Sequence, residues 1–263
     1  MKGNYASTLK EIYKYECDFY NFMTHLAKED DIPLSCISET SNSIFLWGDS
    51  HGRSISYGLN KIIENKYSHL KLSQVNTSGC WPVIGQTSFA KGEIKKACDR
   101  SNLYAINAIK RLKPKVVILV QRFKHENNQL FETAKHLIGM GVKNVLVVGP
   151  LPQWANDLPR IIAWKHWQND SMKINDKDFK TEVLNSDQIL QKRFLENNYK
   201  NIYYASPIQI LCESTSNCTA ILDEDMTPLS FDYGHLTKEG SVYVGENVLA
   251  PLLDRILSER ETD

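Results

Sequence analysis

The chain of 263 residues has no excess of either charge, because 31 lysines and arginines face 31 aspartates and glutamates. Such a balance gives no global field to steer a nucleic acid or an anionic membrane, so no nucleic-acid partner is expected and a neutral partner such as a sugar fits better. No stretch approaches the roughly 20 apolar residues of a membrane-spanning helix, and the polar start MKGNYASTLKEIYKYE lacks the apolar centre of a signal peptide. Internal repeats and low-complexity tracts are missing too. None of the six cysteines has Cys-x-x-Cys spacing, so neither a metal site nor a dithiol redox motif is expected.

What the cysteines do instead is fall, in sequence order, into three local pairs: Cys17 with Cys36, Cys80 with Cys98, and Cys212 with Cys218. That usage points to disulfides and an oxidising compartment, the alternative being reduced thiols buried in a cytosolic core. An exported domain without its own export signal predicts a longer protein, whose remaining part would include a membrane anchor.

Residues 1–42 are rich in aromatic and charged side chains and precede the first clear strand, so they read as an extension or linker packed on a main domain of residues 43–263. That domain opens with Ser43-Ile44-Phe45-Leu46-Trp47, a strand-length apolar run that stops at Gly48-Asp49-Ser50-His51-Gly52. Ile55, Leu59, Ile62 and Ile63 then keep helical spacing. Lys71 to Val75 reads as the next strand, followed by a loop through Pro82. A helix from about Ser101 to Leu112 precedes Val116–Val120, a continuous β-branched run suited to a strand buried on both faces. A helix over 128–139, a strand over 144–148, a helix near 186–197, a strand at 202–204 and a last helix from about Lys238 to Leu257 complete the alternation. The expectation is an α/β fold with a doubly wound parallel sheet, which binds ligands beyond the carboxyl ends of its strands. Between Trp154 and Lys180 no strand is evident. Trp154, Trp164 and Trp167 there are either a sugar-stacking surface or indoles packed in the core.

A serine at a strand-to-helix turn has its hydroxyl exposed beside a helix N-terminus, which is what Gly48-Asp49-Ser50 provides. The Ser50 main-chain N–H is then available to a developing oxyanion. On this fragment alone, Ser50 could equally be a helix N-cap. Near the other end, Asp232 and His235 lie three residues apart before the last helix, the carboxylate and imidazole needed to activate a neutral hydroxyl. His51 is a rival base by adjacency, but its place at the helix start suits capping or substrate contact. His25, His69, His125, His136 and His166 have no ligand-like spacing and read as solvated or structural.

Gly48-Asp49-Ser50 early and Asp232-x-x-His235 late resemble the SGNH, or GDSL-like, hydrolase superfamily, whose fold is a three-layer doubly wound parallel sheet. The segments LWGDSHGRS, SGCWP, RLKPKVVILVQRF, VVGPLP and the run from Leu211 to Ser241 further resemble the periplasmic domain fused to membrane-bound acyltransferases of the O-antigen acetyltransferase kind. The resemblance implies catalysis by Ser50, Asp232 and His235, and an oxyanion hole built from the Ser50 N–H, a glycine after the second strand and an asparagine after the third. Gly79 matches the glycine by position, although it also suits a simple turn. Gln121-Arg122-Phe123 stands where Gly-x-Asn-Asp is expected, so Gln121 or Arg122 is the candidate third donor. The implied function is transfer of an acetyl group, through acetyl-Ser50, to a hydroxyl of a cell-envelope polysaccharide such as O-antigen or lipopolysaccharide. No cofactor would bind this domain directly. The acetyl group would come from acetyl-CoA through an N-terminal membrane domain of the same protein, placing this domain in the periplasm at the bacterial inner membrane. A carbohydrate acetylesterase using the same residues, and a non-catalytic carbohydrate-binding module, are the competing readings.

Overall fold

Strands that are apolar on both faces need cover on both sides, and that requirement sets the architecture. The computed structural model describes residues 12–85, 89–125, 129–168, 171–197, 199–213 and 217–258. Its central sheet contains Ser43–Gly48 (β1), Lys71–Asn76 (β2), Val116–Val120 (β3), Val145–Val148 (β4) and Ile202–Ala205 (β5), all parallel, in the order β2-β1-β3-β4-β5. Every residue of β1, β3 and β4 is buried. The order reverses between β1 and β3, which makes the crevice beyond their carboxyl ends the place where a doubly wound sheet binds ligands.

Side chains alternate between two cores. Ile44, Leu46, Ile118 and Leu146 meet Ile55, Leu59, Ile62 and Ile63 of the helix Ser50–Lys66 (α1). On the opposite face, Phe45, Trp47, Val117 and Leu119 meet Ala105 and Ile109 of Gly92–Leu112 (α2) and Phe131 and Leu137 of Gln129–Gly139 (α3). Glu182–Asn197 (α4) follows β4, and the chain closes with Lys238–Val244 (α5) and Ala250–Ser258 (α6), joined by a π-helical turn at Gly245–Leu249. Where α1 crosses α5, a Cβ on Gly58 would collide with the Ser241 carbonyl oxygen. Only glycine permits this approach, and the Gly58 N–H donates to Ser241 Oγ at 2.9 Å across it.

The extension covers the second core with Cys17, Phe19, Ile32, Cys36 and Ile37, and a ribbon of Tyr20–Asn21 with Leu26–Ala27 lies above them. Several boundaries differ from the sequence expectation. Helix α2 begins at Gly92 rather than near Ser101, because its exposed first turns are too polar to show a periodic face. Helix α4 begins at Glu182 rather than near Ser186. Asn128, expected to open α3, lies outside the described residues. The segment after Trp154 does contain a strand, Lys173–Asn175, paired antiparallel with Asn217–Thr219, but three residues are too few to display alternation. Its tryptophans divide: Trp154 is fully buried, whereas Trp164 and Trp167 are 65% and 63% exposed.

Cys17–Cys36, Cys80–Cys98 and Cys212–Cys218 are disulfide-bonded, at sequence separations of 19, 18 and 6. Loop-closure entropy ranks their effects: replacing Cys80 and Cys98 by serine should cost about 3 kcal/mol, and replacing Cys212 and Cys218 about 2 kcal/mol. Urea unfolding of the two double variants, with peptide mapping of the unreduced protein to establish the pairs, checks this ranking.

Candidate active site

The helix that begins at Ser50 is capped by the preceding residue. Asp49 Oδ1 accepts the His51 N–H at 2.8 Å, while Oδ2 accepts the Arg122 N–H at 2.7 Å from the chain leaving β3. Capping by Asp49 releases the Ser50 hydroxyl, which stands 2.8 Å from His235 Nε2. His235 Nδ1 lies 2.7 Å from Asp232 Oδ2. With a carboxylate at Nδ1, the proton of the neutral ring sits there and Nε2 is free to accept from Ser50.

A tight turn shapes the second half of the site. Phe231 N–H donates to the His235 carbonyl at 2.9 Å, and Asp232 Oδ1 accepts the N–H groups of Gly234 and His235 at 2.9 and 2.8 Å. Burial pushes the Asp232 carboxyl up, but the hydrogen bond and charge of His235 and those two N–H groups outweigh it and leave it below its ordinary value. A carboxylate held ionised 2.7 Å from His235 Nδ1 can stabilise a positive charge on His235. From outside the turn, Trp154 N–H donates to the Tyr233 carbonyl at 2.8 Å and Tyr13 Oη to the Leu236 carbonyl at 3.0 Å.

Gly79 follows β2 with φ of +70°, the left-handed region, and a Cβ there would meet nothing within 4 Å, so its backbone conformation is what selects glycine. The loop before it is held by residues the sequence analysis passed over. Asp18 of the extension and Arg53 of α1, both almost fully buried, pair at 2.6 Å. Ser78 Oγ lies 2.7 Å from Asp18 Oδ2 and accepts from Arg53 Nη2 at 2.7 Å. The Arg53 guanidinium also lies over Tyr15, 4.7 Å from its centroid. Nothing in local spacing announces this group, because Asp18 and Arg53 are 35 residues apart and Asp18 and Ser78 are 60 apart.

Gln121 and Arg122 stand at the exit of β3. Gln121 is buried and its amide donates to the Phe123 carbonyl at 2.9 Å. The Arg122 N–H is given to Asp49, and its guanidinium lies over Tyr233 at 4.1 Å from the centroid. The Gln121 amide and the Arg122 main-chain N–H are thus engaged at the exit of β3, while the Arg122 guanidinium lies beside Tyr233. His51 is fully buried, 4.8 Å centroid to centroid from His235, with neither ring nitrogen hydrogen-bonded among the described residues. Burial, then the charges of His235, Arg122, His125 and Lys180, hold its imidazole well below the ordinary value. It is a neutral ring packed beside His235. His125 is likewise buried, which lowers it to about 4.

Residues 17–250 match the family model of the SGNH domain fused to AT3 domains. No curated protein matches the chain. Among solved structures, the periplasmic domain of a lipopolysaccharide acetyltransferase from Salmonella ser. Paratyphi A is similar at 22% identity and a TM-score of 0.71, over 97% of this chain and 100% of that one. A carbohydrate acetylesterase family member from Sinorhizobium meliloti shows 12% identity and a TM-score of 0.42, over 82% of this chain and 99% of that one. The first likeness establishes the fold, and the second is too slight to add to it.

Two predictions follow from the buried charges and rings. Asp18→Asn strands the Arg53 charge and should cost about 3 to 5 kcal/mol in urea unfolding, part of which Arg53→Met in the same chain should restore. His51 and His125 stay neutral in the fold while the unfolded chain protonates below about pH 6.5, so their stability contribution is complete above that pH and is lost as pH falls. For His125 the loss runs down to about pH 4 and amounts to about 3 kcal/mol. Unfolding midpoints between these limits should fall with pH, and less steeply in His125→Gln.

Proposed function

Since this chain belongs to the SGNH domain family that occurs fused to AT3 domains, we propose that it is an O-acetyltransferase domain working through an acetyl-Ser50 intermediate. The observation that carries the reading is the continuous relay from Ser50 Oγ to His235 Nε2 and from His235 Nδ1 to Asp232, at 2.8 and 2.7 Å. In the first half-reaction, Ser50 Oγ attacks the acetyl carbonyl of the donor while His235 takes the hydroxyl proton. The Ser50 N–H at the first position of α1 and the Gly79 N–H hold the oxyanion. His235 returns the proton to the leaving group as the carbonyl re-forms, leaving acetyl-Ser50. In the second half, His235 takes a proton from a sugar hydroxyl, whose oxygen attacks the acetyl carbon and releases Ser50 Oγ, which is reprotonated.

The acetyl group is acetyl-CoA-derived and reaches Ser50 through an AT3 membrane domain of the same protein. The family's fusion to AT3 domains supports that partner. A periplasmic location at the bacterial inner membrane is supported by three disulfides and by the fold shared with the Salmonella periplasmic domain. That relative's role as a lipopolysaccharide acetyltransferase supports a cell-envelope polysaccharide as acceptor. Residues 43–263 form the catalytic domain in this reading and residues 1–42 the extension leading to it.

The purified domain should turn over 4-nitrophenyl acetate, with an acetyl adduct on Ser50 in intact mass. Ser50→Ala or His235→Ala should lower turnover on the order of 10^4-fold, with Asp232→Asn losing less. Turnover that survives Ser50→Ala would overturn the assignment of the nucleophile. Label passing to polysaccharide rather than to water separates transfer from hydrolysis.

A further inference from the structure

Net neutrality of the chain hides a local imbalance beside the site. A cavity of 350 Å³ opens at the exit of β3, and its lining includes three cations, Arg122, Lys124 and Lys180, against one carboxylate, Glu182. Phe123, 42% exposed, gives the same wall an aromatic face on which a sugar ring can stack.

The cavity is coupled to the reacting group through Tyr233. The Arg122 guanidinium lies 4.1 Å and Lys180 Nζ 5.4 Å from the Tyr233 ring centroid, and that ring is 5.1 Å from the ring of His235. Among the described residues, none of the three cations has a carboxylate partner, whereas Lys165 close by in sequence is paired with both Asp176 and Asp178. Arg122 Nε is buried with no hydrogen bond among the described residues. Of the carboxylates whose charge acts on Tyr233, Asp49 accepts the N–H groups of His51 and Arg122, and Asp232 is engaged by His235 and Gly234. Like charges gathered in one cavity repel each other unless an anion enters. A planar guanidinium matches the oxygens of a carboxylate or phosphate, and the flexible lysines add charge without fixed geometry.

We propose that this cavity is the acceptor subsite and that the sugar it takes is negatively charged, bearing a carboxylate or a phosphate. The inference rests on the serine acetyltransferase reading and names its substrate class. Held by its anionic group against Arg122 and Lys180, with its ring on Phe123, such a sugar would present a neighbouring hydroxyl past Tyr233 towards His235 Nε2.

The test is a titration of nitrogen-15-labelled Ser50→Ala protein with galactose, galacturonate and galactose 6-phosphate, followed by amide chemical shifts. At least one anionic sugar should bind about tenfold or more tightly than galactose, with shifts centred on residues 122–124 and 180. The preference should shrink severalfold in Arg122→Gln and in Lys180→Gln, and should fade as salt is raised. The response to the two anions distinguishes carboxylate from phosphate. Equal affinity for all three sugars, binding of none, or an anion preference untouched by both substitutions would overturn the proposal. Serine-dependent turnover of 4-nitrophenyl acetate without an anion preference would leave the serine reading standing and remove this one. An anion preference in a protein with no such turnover would leave an anionic-sugar site standing but overturn its assignment as the acceptor subsite together with the serine reading.

Discussion

One buried carboxylate holds the two halves of the crevice together. Asp49 gives an oxygen to the first turn of α1 and the other to the chain leaving β3, so it spans the point at which the strand order reverses. Burial holds this carboxyl above its ordinary value, although the N–H groups of Arg122, His51 and Gly52 and the charge of His235 work against it. Three consequences stem from that bridge. Ser50 is relieved of capping, α1 starts in a fixed position relative to β3, and Arg122 is anchored by its main chain so that its side chain runs along Tyr233.

The remaining parts of the site are tied down by the extension. Asp18 grips Ser78 next to Gly79, and Tyr13 grips Leu236 next to His235, so one short stretch touches both loops that flank Ser50. A buried ion pair such as Asp18–Arg53 gains little net free energy over apolar packing, because desolvation offsets the attraction. What it supplies is direction: Arg53 has donors aimed at Asp18 and Ser78 and a face on Tyr15, an arrangement apolar side chains would not specify.

Reading the sequence reached the features that are written over short spans. The strand runs Ser43–Trp47 and Val116–Val120 declare themselves by composition, and the alternation with helices leads to the parallel sheet. Ser50, Asp232 and His235 were legible because each sits in a short pattern next to an element boundary, and the structure stands them within hydrogen-bonding distance. Features made by contacts between distant segments were not legible. Asp18, Arg53 and Ser78 are unremarkable in their own windows, and Tyr233 looks like filler between Asp232 and His235. Gln121 and Arg122 were placed at the correct strand exit, but side-chain direction depends on Asp49 and Phe123, which position along the chain does not reveal. The three tryptophans near residue 160 show the same limit, since Trp154 is core while Trp164 and Trp167 face solvent.

The crossing of α1 and α5 at Gly58 and Ser241 also bears on the order in which the molecule comes into being. Ser50 and His235 are separated by 185 residues, and their contact is made only when the C-terminal helices dock on α1. Loop closure over that span is among the costliest steps in the chain, and the amino-terminal elements leave the ribosome long before it becomes possible. Until it happens, the Ser50 hydroxyl is an ordinary alcohol with no base beside it. The contact between Ser50 and His235 is therefore among the last this polypeptide makes, and a chain that stops short of His235 leaves the Ser50 hydroxyl without that imidazole.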